Sequence, residues 1–311
     1  MSSMIRGFLG SALVLGLVAT AASSGAAEPD ERNVLRGRAA VYDALDARSL
    51  EHVTSSAAMS SELKLSNVAP TRIWKLLEHG EKVECLDCIP VVSRLLFDSN
   101  AKTREISAWW LRRRVFGVFG KGEVYSQVVS TLSDTSQSEI RRSHAANALG
   151  EFLNPAGVPD VAKAAISDTS PRVRLSAVAA LERLNNEGPA LELGMALSDS
   201  SEDVRLGALH AAISVNVFTS VDKVVERFGD ESPLVRRRAA EAVGAMRLAD
   251  AVLGLVMLAG EGSESSAEVR SAAVWALGQI AQPEGKPAVQ AALSDSSSLV
   301  RDSARIALRR L

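Results

Sequence analysis

A seven-residue phrase returns along the second half of the chain: Asp168-Thr-Ser-Pro-Arg-Val-Arg174, Asp199-Ser-Ser-Glu-Asp-Val-Arg205, Asp230-Glu-Ser-Pro-Leu-Val-Arg236 and Asp295-Ser-Ser-Ser-Leu-Val-Arg301. Looser copies are Glu264-Ser-Ser-Ala-Glu-Val-Arg270, Asp98-Ser-Asn-Ala-Lys-Thr-Arg104 and a longer Asp134 to Arg142. The anchoring arginines 104, 142, 174, 205, 236, 270 and 301 are 38, 32, 31, 31, 34 and 31 residues apart. A unit of that length cannot enclose a core alone, so the period predicts stacked units sharing one continuous interior rather than a single globule.

Each position has a mechanical meaning. Four residues before each arginine stand Asn100, Ser138, Ser170, Ser201, Ser232, Ser266 and Ser297, whose side chains can accept from the free N–H groups that open a helix. Pro171 and Pro233 follow at the first helical position, where a missing N–H costs nothing. Three residues after the arginine come Ser107, Ala145, Ala177, Ala208, Ala239, Ala273 and Ala304; six after it, Trp110 and then alanine in every copy. Seven after it come Leu111, Leu149, Leu181, Ala212, Val243, Leu277 and Leu308, all apolar. Offsets three, six and seven share one helical face, so this helix approaches its neighbours closely. Shorter apolar helices precede the turns, as at Val158 to Ile166, Ala190 to Leu197, Val221 to Phe228 and Ala249 to Leu258. The spacing therefore predicts an all-α solenoid of about seven helix-turn-helix repeats. In the second copy, caps and alanines favour Arg142 as the anchor, although Ile140-Arg141 imitates the usual Val-Arg.

The turn motif and the alanine-rich second helix resemble HEAT repeats, in particular the short HEAT-like units of phycobilin lyase-type proteins, from about Ile89 to Leu311. The resemblance implies an armadillo-like superhelix, second helices lining its inner curve, and a structural ladder between each arginine and the aspartates Asp168, Asp199, Asp230 and Asp295. The His-Glu pairs by which HEAT-like deoxyhypusine hydroxylases hold iron are missing, because the four histidines precede Val53, Gly80, Ala145 and Ala211. Nothing supports carrying over bilin lyase activity, since the match is to the scaffold alone.

Residues 1–27 read as a signal peptide: Arg6, an apolar stretch from Phe8 to Ala19, and a small-residue tail ending Gly25-Ala-Ala27. The apolar stretch is short of the roughly 20 residues a spanning helix needs. The expectation is an exported, periplasmic protein with no membrane span after cleavage. Residues 28–88 are expected to form an N-terminal helical cap and linker before the solenoid of residues 89–311. Helical patterns appear between Asn33 and Val53 and between Pro70 and His79, separated by serine-rich Ser55 to Asn67. Trp110, breaking the alanine series, suits a cap of different shape in front of it. At the far end, Arg301, Arg305, Arg309 and Arg310 keep an open face soluble, and end-to-end self-association is a further expectation.

Lys plus Arg is 35 against 37 for Asp plus Glu, a net charge of −2, which gives no general attraction to nucleic acid. No catalytic serine elbow, phosphate-binding loop or dinucleotide fingerprint is present, so the expectation is a non-catalytic chain without cofactor or metal. Cys85-Leu-Asp-Cys88 fits a short disulfide in an exported protein. A redox-active pair, a zinc site with His79 and a reduced pair are the alternatives. Haem attachment fails because Ile89 stands where the ligand histidine would be.

Offset five of the second helix varies freely: Trp109, Asn147, Ala179, His210, Glu241, Trp275, Ile306. Together with His144 and Arg238 at offset two and Gln279 at offset nine it forms a stripe beside the alanine face. The candidate binding surface is therefore Trp109, His144, Asn147, His210, Arg238, Glu241, Trp275 and Gln279, presented to another protein or peptide. Each of these is also accounted for by an ordinary solvated or partly packed position; Trp109 and Trp110, about 100° apart on their helix, divide between core and cap junction. The alternative function is an accessory to redox or cofactor chemistry working through Cys85 and Cys88.

Overall fold

A computed structural model describes residues 56–65, 68–83, 85–114, 122–185, 190–216 and 218–311. The signal segment, the Asn33–Val53 pattern and the aromatic residues Phe116 and Phe119 lie outside them. The described residues form sixteen α-helices, short 3₁₀ turns and no strand. Helices α1 (Ser56–Leu63) and α2 (Pro70–Val83) precede seven pairs: α3 (Ile89–Leu95) and α4 (Ala101–Arg112), α5 (Glu123–Ser133) and α6 (Glu139–Glu151), α7 (Val158–Ser167) and α8 (Pro171–Leu184), α9 (Ala190–Ala196) and α10 (Glu202–Ser214), α11 (Val221–Glu226) and α12 (Pro233–Met246), α13 (Val252–Leu258) and α14 (Ala267–Ile280), α15 (Lys286–Ala291) and α16 (Ser298–Ala307). This is the all-α solenoid the period predicts.

One expectation is corrected at the N-terminal side. Serine-rich Ser55 to Asn67 is no simple spacer, because Ser56–Leu63 is helical. Met59 and Leu63, one turn apart, are both buried, and that apolar pair outweighs the weak helix preference of serine.

The alanine face carries the stacking. All seven offset-three residues, from Ser107 to Ala304, are fully buried, and so are the offset-six residues apart from slight exposure at Ala148 and Ala307. Trp110 is fully buried too, with the Arg114 guanidinium 3.8 Å from its ring centroid. A Cβ on Gly80 of α2 would stand 2.8 Å from Met59 and 3.2 Å from the Trp110 indole nitrogen, so the missing side chain makes room for that ring.

A second set of small residues decides how tightly successive units close. Gly150, Gly244 and Gly278 each stand eight residues after an anchoring arginine. A Cβ on any of them would lie 2.7 to 2.8 Å from the Cα of Ala180, Ala276 or Ala307, the offset-six alanine of the following second helix. These glycines let backbone meet backbone. The pairs α6–α8, α12–α14 and α14–α16 accordingly approach over a greater length than α4–α6, α8–α10 and α10–α12, where Arg112, Glu182 and Ile213 occupy the same offset. Successive second helices contact one another more extensively than successive first helices do.

The turns are locked by a repeated polar device. The turn carboxylate accepts from the N–H of the capping residue, as Asp168 from Ser170, Asp199 from Ser201, Asp230 from Ser232, Glu264 from Ser266 and Asp295 from Ser297, at 2.8 to 3.0 Å. The following arginine reaches back to the carbonyl of that acid through Nη1 and forward, through Nε and Nη2, to the acid of the next turn. The forward pairs are Arg142–Asp168, Arg174–Asp199, Arg205–Asp230, Arg236–Glu264 and Arg270–Asp295, at 2.6 to 2.9 Å. Planar two-point contact is the geometry that guanidinium and carboxylate share. Hydrogen bonds from Arg270, then from the Ser297 N–H, hold the Asp295 carboxyl below its ordinary range against the opposing effect of burial. The Arg270 guanidinium is raised in turn, first through its bond to Asp295. Arg142, rather than Arg141, is the second anchor; Arg141 instead lies over the Phe97 ring at 4.1 Å.

The capping expectation is met in part. Asn100, Ser138, Ser232 and Ser266 accept from helix-opening N–H groups through their side chains. Ser170, Ser201 and Ser297 occupy the cap position without that bond. The Ser170 hydroxyl donates to Glu139 of the preceding unit instead.

Candidate binding face

The resemblance to HEAT repeats implies that the second helices line the inner curve, so their solvent-facing side is the candidate binding face. None of the seven offset-five residues is buried, whereas the flanking offsets three and six are. The stripe therefore faces outward from the alanine seam, but the structure divides its residues among several surroundings.

Trp109 stacks on Trp74 of α2, with centroids 5.4 Å apart and ring planes 13° apart, while Trp110 enters the core beside it. His210 lies 3.3 Å from Glu182, and Gln279 accepts from Arg310. His144 and Asn147 line a pocket of about 440 Å³ between α4 and α6, with Arg104, Glu105, Glu151 and Arg183. Burial, followed by the positive charges of Arg104, Arg172 and Arg141, holds the His144 imidazole below its ordinary pKa, with Asp98 opposing.

Arg238, Glu241 and Trp275 come together. They line an open groove of about 620 Å³ with Ile213, Ala245, Ala272 and Leu299. Glu241 is held between two guanidiniums, Arg237 Nε donating to Oε1 and Arg238 Nη1 to Oε2, each at 2.9 Å. Trp275 is placed by Gly244, since a Cβ there would stand 2.7 Å from the indole ring. On the wall next to it, the Ser271 and Ser303 hydroxyls form a 2.8 Å bond that joins α14 to α16. The result is an indole and aliphatic floor beside a fixed Arg–Glu–Arg cluster, suited to hold an apolar side chain next to a polar one.

Ile213, Leu299 and the three glycines are features the stripe reading passed over. Their signal was present: glycine stands at offset eight in three copies, and Ile213 fills that offset in a fourth. The Cys85 and Cys88 sulfurs are at disulfide distance, and both residues are fully buried where α2 meets α3. Among the described residues no group of three or more potential metal ligands occurs, and no helix is long and apolar enough to cross a membrane.

The family model for HEAT repeats matches residues 125–214, 189–265 and 221–309. No curated protein matches in sequence. Among solved structures, the Escherichia coli protein YibA is similar at 18% identity, covering 86% of this chain and 98% of its own, with a TM-score of 0.52. Kap95p, in a structure concerning its binding of RanGDP, is similar at 12% identity over 82% of this chain and 40% of its own, with a TM-score of 0.53. At these identities the likeness shows the fold. Overlapping matches that together run from residue 125 to residue 309, on a structure whose turns repeat one arginine ladder, leave one assignment: the chain belongs to the HEAT-repeat family.

Proposed function

We propose that the chain is a non-catalytic scaffold that holds another protein or peptide along its inner face. The observation that carries the reading is the convergence of Arg238, Glu241 and Trp275 on one open, largely apolar groove spanning α10, α12, α14 and α16. The groove's walls are second helices fixed by backbone packing and paired side chains, so little ordering cost accompanies binding. Trp275 and Glu241 are the anchors. Trp109 and His210 contribute less, because Trp74 and Glu182 already engage them.

The test is a selection of random linear peptides on the full-length protein, followed by calorimetry of the selected peptides. Trp275→Ala is expected to weaken them by about thirtyfold, the scale of an interface hot spot, without lowering the unfolding temperature by more than a few degrees. Peptides that bind the Trp275→Ala protein as tightly as the parent would sink the groove.

Export belongs to the same proposal, supported by Arg6, the apolar stretch Phe8 to Ala19 and the small-residue tail. A cysteine pair at disulfide distance suits an oxidising compartment. Burial of both cysteines favours a structural staple over an exchanging dithiol, since exchange requires an incoming thiolate to reach a sulfur. End-to-end assembly is not part of the proposal. The outward side of α16 carries Asp302, Arg305 and Arg309 where α14 receives its successor through Ser271, Val274 and Gly278.

A further inference from the structure

The arginine ladder has one interrupted step. In five successive units the anchoring arginine uses Nε and Nη2 to grip the acid of the next turn. Arg104 makes the backward bonds of its class, Nη1 donating to the carbonyls of Asp98 at 2.7 Å and Ser99 at 2.9 Å. Yet among the described residues no carboxylate pairs with it. The next turn explains why. Asp134 stands eight residues before its arginine instead of six, and its carboxylate is turned onto that longer turn, accepting from the Ser136 N–H at 2.9 Å and the Gln137 amide at 3.0 Å.

Arg104 lines the pocket between α4 and α6 together with His144 and Asn147. The two acids in its wall are already matched: Glu105 by Lys102 at 2.7 Å, and Glu151 by Arg183 at 3.1 Å and Arg112 at 3.7 Å. What the pocket offers is an uncompensated guanidinium, a side-chain amide and an imidazole, in about 440 Å³ open to solvent.

We propose that this pocket binds a carboxylate side chain of a partner peptide, an aspartate or glutamate that pairs with Arg104, the arginine left without the carboxylate that Asp168, Asp199, Asp230, Glu264 and Asp295 supply in the later steps. The five intact steps give the recognition geometry, a planar two-point contact that the guanidinium fork matches. The Asn147 amide supplies a further donor to the same carboxylate. The pocket is separate from the groove around Trp275 and does not depend on it.

The probe is a capped, fluorescein-labelled hexaglutamate titrated into the full-length protein at fixed low salt, with hexaglutamine as the neutral control. Arg104→Gln is expected to weaken hexaglutamate binding about tenfold. Arg141→Gln, which removes a neighbouring cation lying on the Phe97 ring, should change it by less than about twofold. Asn147→Asp sets a carboxylate in the pocket while leaving the backward bonds of Arg104 intact; it should abolish binding with the unfolding temperature preserved. Trp275→Ala should have no effect, which separates this site from the groove. Absence of saturable binding, or equal losses from Arg104→Gln and Arg141→Gln, would overturn the proposal. Stronger displacement of the probe by inorganic phosphate than by glutarate would overturn the carboxylate assignment.

Discussion

At the scale of single residues, the most exacting work falls to the arginine and acid of each turn. Arg270 and Asp295 are almost wholly withdrawn from solvent, with side-chain exposures of 4% and 3%, and each also binds backbone within a turn. Two charges taken from water are tolerable only when every bond is made, so loss of one partner costs far more than the pair contributes. Arg270→Met is therefore expected to destabilise by about 3–5 kcal/mol in chemical denaturation, because Asp295 and the Glu264 carbonyl lose their donor. A loss under 1 kcal/mol would show that solvent reaches the site freely. The recurring phrase marked the positions of this ladder, with Glu264 standing at the aspartate position of its copy, but the pairing between units was implied by the resemblance to HEAT repeats rather than read from the spacing. The destination of each hydroxyl was not readable either: nothing in the repeat tells that the Ser138 side chain caps its helix while that of Ser170 turns to Glu139.

At the scale of the element, alanine and glycine perform different tasks on the same helix. The alanines at offsets three and six define where helices touch, and their periodicity was enough to predict the seam. The glycines at offset eight set how far the touch extends, and they appear in three of the seven copies, too few to emerge from a search for an invariant position. Gly150→Ala separates the two effects. Helix propensity favours alanine in a helix interior by about 1 kcal/mol. The new methyl would meet the Cα and Cβ of Ala180 at 2.8 Å, and backbone cannot move aside as a flexible side chain can. Overpacking wins, and the variant is expected to lose about 1–3 kcal/mol in thermal or urea unfolding. A gain in stability would mean that α6 and α8 stand further apart than the seam requires. Of the candidate surface, the position of the stripe followed from offset five, but the grouping of its residues did not. Whether Trp109 finds Trp74, or Trp275 lies across Gly244, depends on neighbours outside the repeating phrase.

At the scale of the whole array, contacts run between neighbouring units and the repeat is quasi-one-dimensional. Stability then approximates a sum over units and the interfaces between them, so a terminal unit can be removed without dissolving the rest. Removing residues 283–311 takes away α15 and α16, and exposes the side of α14 that carries Ser271, Val274 and Gly278. Replacing those three residues with the Asp, Arg and Arg found at the matching places of α16 gives the shortened chain the polar end of the full one. Circular dichroism during urea unfolding of that shortened, recapped protein is the most direct measurement. A stacked array predicts unchanged helix content per residue and a cooperative transition at a lower urea concentration; wholesale loss of the helical signal in the absence of urea would contradict it.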